Sequence, residues 1–132
     1  MNLLQTLPNF LAYFASAIGL FGLFTSLYLR LTPYAEIQLI RQGNISAAAA
    51  LVGTLLGFAL PLSSAIAHSV SLIDMLVWGV IAMLVQVLVF LGLSRLMPEL
   101  KDGIASNTLA HGVLLGGASL SVGLLNAACM TY

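Results

Sequence analysis

Between Asp74 and Arg95 the chain reads MLVWGVIAMLVQVLVFLGLS, residues 75–94, without a charged side chain. An α-helix needs about 20 mainly apolar residues to cross roughly 30 Å of hydrocarbon, and this run supplies that length. A strand would cross in about 10 residues alternating between apolar and polar, and no such alternation runs through the segment. Three more uncharged stretches of sufficient length flank it, at 1–29, 42–73 and 103–132. Together they predict four transmembrane helices near 8–29, 44–67, 72–96 and 107–130. The expected fold is an all-α integral membrane protein, with residues 1–132 forming one transmembrane domain.

Composition agrees. The chain is 61% hydrophobic and 6% charged, with mean hydropathy +1.09. A soluble domain carries about 25% charged residues, so lipid must solvate most of this surface. The first stretch has no basic n-region and no Ala-x-Ala site after a short apolar core, and it reads as a retained span rather than a signal peptide. Pro8 suits a first helical turn, where its missing N–H costs nothing. Net charge is zero, which argues against a nucleic-acid partner. The single cysteine, Cys129, excludes an internal disulfide.

All four basic residues fall in two loops: Arg30 and Arg41 after the first span, Arg95 and Lys101 after the third. Basic loops stay in the cytoplasm, so both termini are expected outside, in one fixed orientation. The chain also repeats. Arg30-Leu31-Thr32-Pro33 parallels Arg95-Leu96-Met97-Pro98, and Asn44, Ala47 and Gly53 recur as Asn107, Ala110 and Gly116. Tyr13 and Trp78 share the offset of the arginines. This predicts two parallel repeats of a two-helix unit, 1–68 and 69–132, related by an axis along the membrane normal. In the first basic loop, Thr32 with Pro33 reads as the start of a short interfacial helix. Tyr34, Ile37 and Ile40 or Arg41 would share one face, Glu36 would point elsewhere, and Gly43 would end the helix.

Small residues recur at helical spacing in span two (Ala49, Gly53, Gly57, Pro61, Ala65), span four (Gly112, Gly116, Ser119, Gly123, Ala127) and span one (Ala15, Gly19, Gly22, Ser26). Such stripes let helix backbones approach closely in lipid; a pore lined by glycine backbone is the alternative. Pro61 is expected to kink span two, with Thr54, Ser63 and Ser64 available to the freed backbone groups. Asn44 and Asn107 each read as an N-cap, or, with Arg41 and Lys101 near two helix N-termini, as an anion or lipid-phosphate site. Gln86, His111 and Asn126 are polar groups at membrane depth, suited to interhelical hydrogen bonds or to lining a hydrophilic path. Ser71 with Asp74 fits a capping box at the start of span three. His68 sits at the outer interface.

No acidic or basic residue falls in the hydrocarbon part of the expected spans, where proton-coupled transporters need a relay. No metal-ligand spacing, nucleophile triad or phosphate loop is present, so neither an enzyme nor a bound cofactor is expected.

Other motifs carry a family resemblance. They are Thr32-Pro33 with Glu36 and Leu39-Ile40; Asn44 with Ala47-Ala48; Gly53-Thr54-Leu55-Leu56-Gly57 with Pro61-Leu62-Ser63-Ser64-Ala65; Trp78-Gly79; Gln86; Met97-Pro98; and Asn126-Ala127-Ala128-Cys129-Met130-Thr131. On these the whole chain resembles the short bacterial inner-membrane proteins of the YjfL type, a four-span family labelled domain of unknown function 350. The resemblance implies four spans from a duplicated two-helix unit in a bacterial inner membrane, and it implies no activity. Two functions remain open. One is a passive channel or transporter subunit acting as a homo-oligomer, with a path between copies. The other is a non-transporting structural or regulatory protein holding a partner or lipid. A continuous polar line through Gln86, Asn126 and His111 would favour the first; isolated groups would favour the second.

Overall fold

A computed structural model describes residues 3–130. Among them are six helices and no strand: α1 (Leu3–Leu31), α2 (Glu36–Arg41), α3 (Ile45–His68), α4 (Leu72–Leu96), α5 (Leu100–Ala105) and α6 (Leu109–Cys129). Four of them, α1, α3, α4 and α6, are long and apolar enough to cross a bilayer. The two six-residue helices, α2 and α5, sit at the end of the bundle that carries Arg41 and Lys101. Thr131, the last residue of the family-like run, and Met1 and Tyr132, which bound the outermost uncharged stretches, lie outside the described residues.

The centre of the fold is the pair α3 and α6, which run parallel and touch along their length. Ser46 Oγ donates to the Thr108 carbonyl at 2.7 Å near one end, and Ser64 Oγ donates to the Ala127 carbonyl at 3.1 Å near the other. Between these bonds the two backbones meet with almost no side chain intervening. A Cβ added to Gly53 would overlap the Gly116 backbone, one on Gly116 would overlap the Ala49 carbonyl, and one on Gly123 would overlap the Gly57 carbonyl. Lipid tails are as apolar as leucine, so helix association in a membrane rests on such close van der Waals contact.

Helix α4 lies antiparallel against this pair, and α1 packs on the outside through aromatic rings. Phe24 stacks on Phe58 with centroids 4.6 Å apart, and Tyr28 meets Phe90 edge-on at 5.7 Å. These rings fill the space beside the small-residue seam. The fully buried residues of α1 are Ala17, Leu20, Phe24 and Tyr28, and Tyr13 is partly buried against the core. Gly19 and Gly22 of its small stripe have no neighbour within 4 Å of an added Cβ.

Several local expectations are corrected. Helix α1 is already formed at Leu3, so Pro8 lies inside it rather than at its first position. Helix α2 begins at Glu36, not at Thr32, and its N-cap Ala35 has no side-chain bond; Thr32 bonds Glu36 instead. Helix α5 had no sequence expectation. Asn107 is not the N-cap of α6, which begins at Leu109 after Thr108. Asn107 has φ +64°, and the amides of Asn107 and Thr108 close back on the Ile104 and Gly103 carbonyls. It therefore terminates α5 in the left-handed conformation that asparagine tolerates. Gly43, with φ +89°, does the same for α2. Asn107 thus ends α5 as Gly43, one residue before Asn44, ends α2.

The seam gives a direct prediction. Gly116→Ala should lower thermal stability in detergent by about 1–3 kcal/mol, because its Cβ forces two backbones apart. Gly117→Ala, whose Cβ enters open space, should stay within about 0.5 kcal/mol of the parent. Equal stability of the two variants would contradict the seam.

Candidate functional site

Pro61 sits inside α3, buried, and has no N–H to give the Gly57 carbonyl four residues earlier. An orphan carbonyl in mid-membrane is costly. Gln86 of α4 satisfies it: Nε2 donates to the Gly57 carbonyl at 2.9 Å and to the Ser119 carbonyl of α6 at 3.1 Å. One amide thereby ties three helices. The hydroxyls expected to help are engaged elsewhere: Thr54 with the Ala50 carbonyl and Ser64 with that of Ala127, while Ser63 is exposed. The other amide atom, Gln86 Oε1, is buried with no hydrogen bond among the described residues.

At the basic end, Asn44 caps α3, its Oδ1 accepting from the Ala47 amide at 2.8 Å. Its Nδ2 donates to the carbonyls of Ile104 and Ala105 at the end of α5. Asn107 Oδ1 accepts from the Ser46 amide at 3.1 Å. The two asparagines therefore tie the end of α5 to the start of α3, with both Asn44 amide atoms and Asn107 Oδ1 bonded to backbone. They line an open depression of about 240 Å³ with Leu39, Gln42, Gly43, Ala105 and Ser106; neither Arg41 nor Lys101 lines it. His111 lies against Gly103 of α5, where a Cβ would overlap its ring, and its Nδ1 is buried without a hydrogen bond among the described residues. Asn126, half-buried on α6, likewise has an unbonded Nδ2. No described bond joins Gln86, His111 and Asn126 into one line.

A different cluster does come together. Glu36, expected off the face shared by Tyr34 and Ile37, is 1% exposed. The reason is its position: α2 packs against α3, and Thr32 Oγ1 donates to Glu36 Oε1 at 2.5 Å. Tyr28 and Tyr34 lie close enough to interact electrostatically with Glu36 and with each other, and Thr54 of α3 approaches the Tyr28 hydroxyl. Yet Tyr28 Oη, Tyr34 Oη and Glu36 Oε2 make no hydrogen bond of full geometry among the described residues. From Thr54 the polar line continues inward to Ser119 Oγ at 3.4 Å, whose carbonyl receives Gln86. Outward, Glu36 and Tyr34 line an open cavity of about 560 Å³ with Leu29, Ala35, Ile37, Gln38 and Arg41. Burial pushes the Glu36 carboxyl from its ordinary 4.5 up to about 7, against the pull of the Thr32 bond. Burial, and then the Glu36 charge, hold the Tyr34 hydroxyl above its ordinary range.

No helical spacing in the sequence finds this cluster: Tyr28, Thr32 and Glu36 stand four residues apart, but α1 ends at Leu31 and α2 begins at Glu36, so they share no continuous helical face.

Fold and site define a class: a four-span α-helical membrane protein with a seam of small residues and a buried carboxyl at its basic end. Residues 2–130 match the family described as Domain of Unknown Function (DUF350), and the chain belongs to it. It is 42% identical over 132 residues, covering all of both chains, to the UPF0719 inner membrane protein YjfL of Escherichia coli (strain K12), and equally to that of Escherichia coli O157:H7. The chain is thus of an inner-membrane protein family. No solved structure matches it.

The buried carboxyl makes stability depend on pH. The folded state holds the Glu36 proton up to about pH 7, whereas the unfolded chain releases it near 4.5. Glu36 therefore favours folding least above pH 7, and its contribution should fall by about 3 kcal/mol as pH rises through that window. Thermal unfolding in detergent should show this decline in the parent and lose it in Glu36→Gln. A Glu36→Gln profile as steep as the parent's would contradict the burial of a titrating carboxyl.

Proposed function

We propose that this chain is the subunit of a homo-oligomeric passive channel or transporter, whose path begins at the Glu36 cavity. The observation that carries this reading is the polar line from that cavity through Tyr28, Thr54 and Ser119 to Gln86. A bundle serving only as scaffold has no need of a buried carboxyl, and polar groups at membrane depth face protein or a water-filled path. Beyond Gln86 the α3–α6 seam is closed, which favours completion of the path between copies.

The stripe of span one supports assembly. Ala15, Gly19, Gly22 and Ser26 remain exposed along α1, while Gly53 and Gly57 are consumed inside one copy. A second α1 fits this stripe as α6 fits α3. The basic loops favour a cytoplasmic position for the Glu36 end and periplasmic termini. The order of long, short and long helix in each half supports reading the chain as two parallel repeats. The separation of His111 and Asn126 from Gln86 favours the second function, a structural or regulatory bundle that binds lipid or a partner.

Purified protein in liposomes, assayed for flux of small ions and neutral solutes, separates the two. The parent should conduct and should migrate in detergent as an oligomer. Gly19→Leu combined with Gly22→Leu should keep its thermal stability, migrate as single copies and lose the flux. A parent that passes none of the solutes would leave the structural reading.

A further inference from the structure

Tyr28 Oη, Tyr34 Oη and Glu36 Oε2 are three buried oxygens that make no hydrogen bond of full geometry among the described residues, although the Tyr28 hydroxyl lies within weak hydrogen-bonding reach of Tyr34 and Thr54. They lie together: each of the three groups acts electrostatically on its neighbours, and the Tyr28 hydroxyl is approached by Thr54. Thr32 holds the second Glu36 oxygen. Leaving such groups unpaired in a low-dielectric interior is costly, and most costly for an ionised carboxylate. Either a proton or a positive ion relieves that cost. The ligand set is all oxygen, which suits a hard cation. Its single negative charge balances one positive charge, not two.

We infer that Glu36, Tyr28 and Tyr34, with the Thr54 hydroxyl beside them, form a binding site for a monovalent metal cation of the sodium or potassium class. The ion reaches the site from the cavity of about 560 Å³ that Glu36 and Tyr34 line. This deepens the channel or transporter reading, on which it rests, by naming the class of permeant. The surrounding charges are compatible. Arg41 shares the cavity but is exposed at its edge, where water and salt screen it. Arg30 and Arg95 line separate surface grooves. The titratable group of α3, His68, lies at the opposite end, as does Asp74 of α4. A cation and a proton then compete for one carboxylate, so apparent cation affinity falls about tenfold for each pH unit below about 7.

The test is thermal stability of the full chain in detergent at pH 8.5, titrated with sodium, potassium or lithium chloride against N-methylglucamine chloride at equal ionic strength. A saturable stabilisation by at least one metal cation is expected. It should weaken tenfold per unit on acidification below pH 7, disappear in Glu36→Gln and weaken several-fold in Tyr34→Phe. Glu36→Gln mimics the protonated carboxyl and should fold, and Tyr34→Phe keeps the test decisive should it not. Equal stability in all four salts would show that the oxygens hold water or a proton alone and would overturn the site, as would a stabilisation that survives Glu36→Gln. Binding without liposome flux removes the channel reading and leaves the site standing. Flux without binding does the reverse.

Discussion

The carbonyl of Gly57 is where the constraints on this bundle meet. Pro61 denies it a partner within its own helix, and the hydrocarbon of a bilayer supplies none. Gln86 donates to it from α4 and spans across to the Ser119 carbonyl. Because residue 57 has no side chain, the Ser119 backbone and the Gln86 amide can both approach. Gly123 then packs over the same carbonyl from α6. One missing N–H thus explains a buried glutamine, two glycines and the juncture of three helices. In a membrane, where apolar burial does not favour one helix pairing over another, such polar and steric details select the arrangement.

The basic end is built on a second set of backbone satisfactions. Each short helix stops at a residue of positive φ, and the first free amides of α3 are met by Asn44 and Asn107 side chains. Asn44 also closes the last carbonyls of α5. These bonds fix α5 against α3, and the Thr32–Glu36 bond ties the first residue of α2 to the residue that follows α1, while α2 packs on α3. The carboxyl is thereby held under the bundle end rather than in water. The chemistry of the candidate site is a consequence of where two short helices are tied down.

The four long helices were legible in the sequence because bilayer thickness converts charge-free length directly into spans, as in residues 75–94. The small-residue stripes of spans two and four were also legible, since a glycine every four residues has few other uses in lipid. What spacing could not give was pairing. Nothing in Gln86 says that its target is the carbonyl freed by Pro61, 25 positions away in sequence and on another helix. The misassignment of Asn107 had a local cause: an asparagine before a helix reads as a cap, but the same residue can end the preceding helix, and α5 was too short and too polar to be seen. Glu36 was placed off the face of Tyr34 and Ile37 because the short helix was started at Thr32, while its environment was decided by the later start of α2 and its packing on α3.

The most direct measurement is a double-mutant cycle on Gln86 and Pro61, read as thermal or denaturant stability in detergent. Gln86→Met keeps the bulk and removes the amide, leaving the Gly57 carbonyl unpaired, and should cost about 1–3 kcal/mol. In a Pro61→Ala background the new N–H supplies the missing intrahelical bond, and the same Gln86→Met change should cost at least about 1 kcal/mol less. A cost that is the same in both backgrounds, within about 0.3 kcal/mol, would contradict the claim that Gln86 stands in for the hydrogen bond that Pro61 removes.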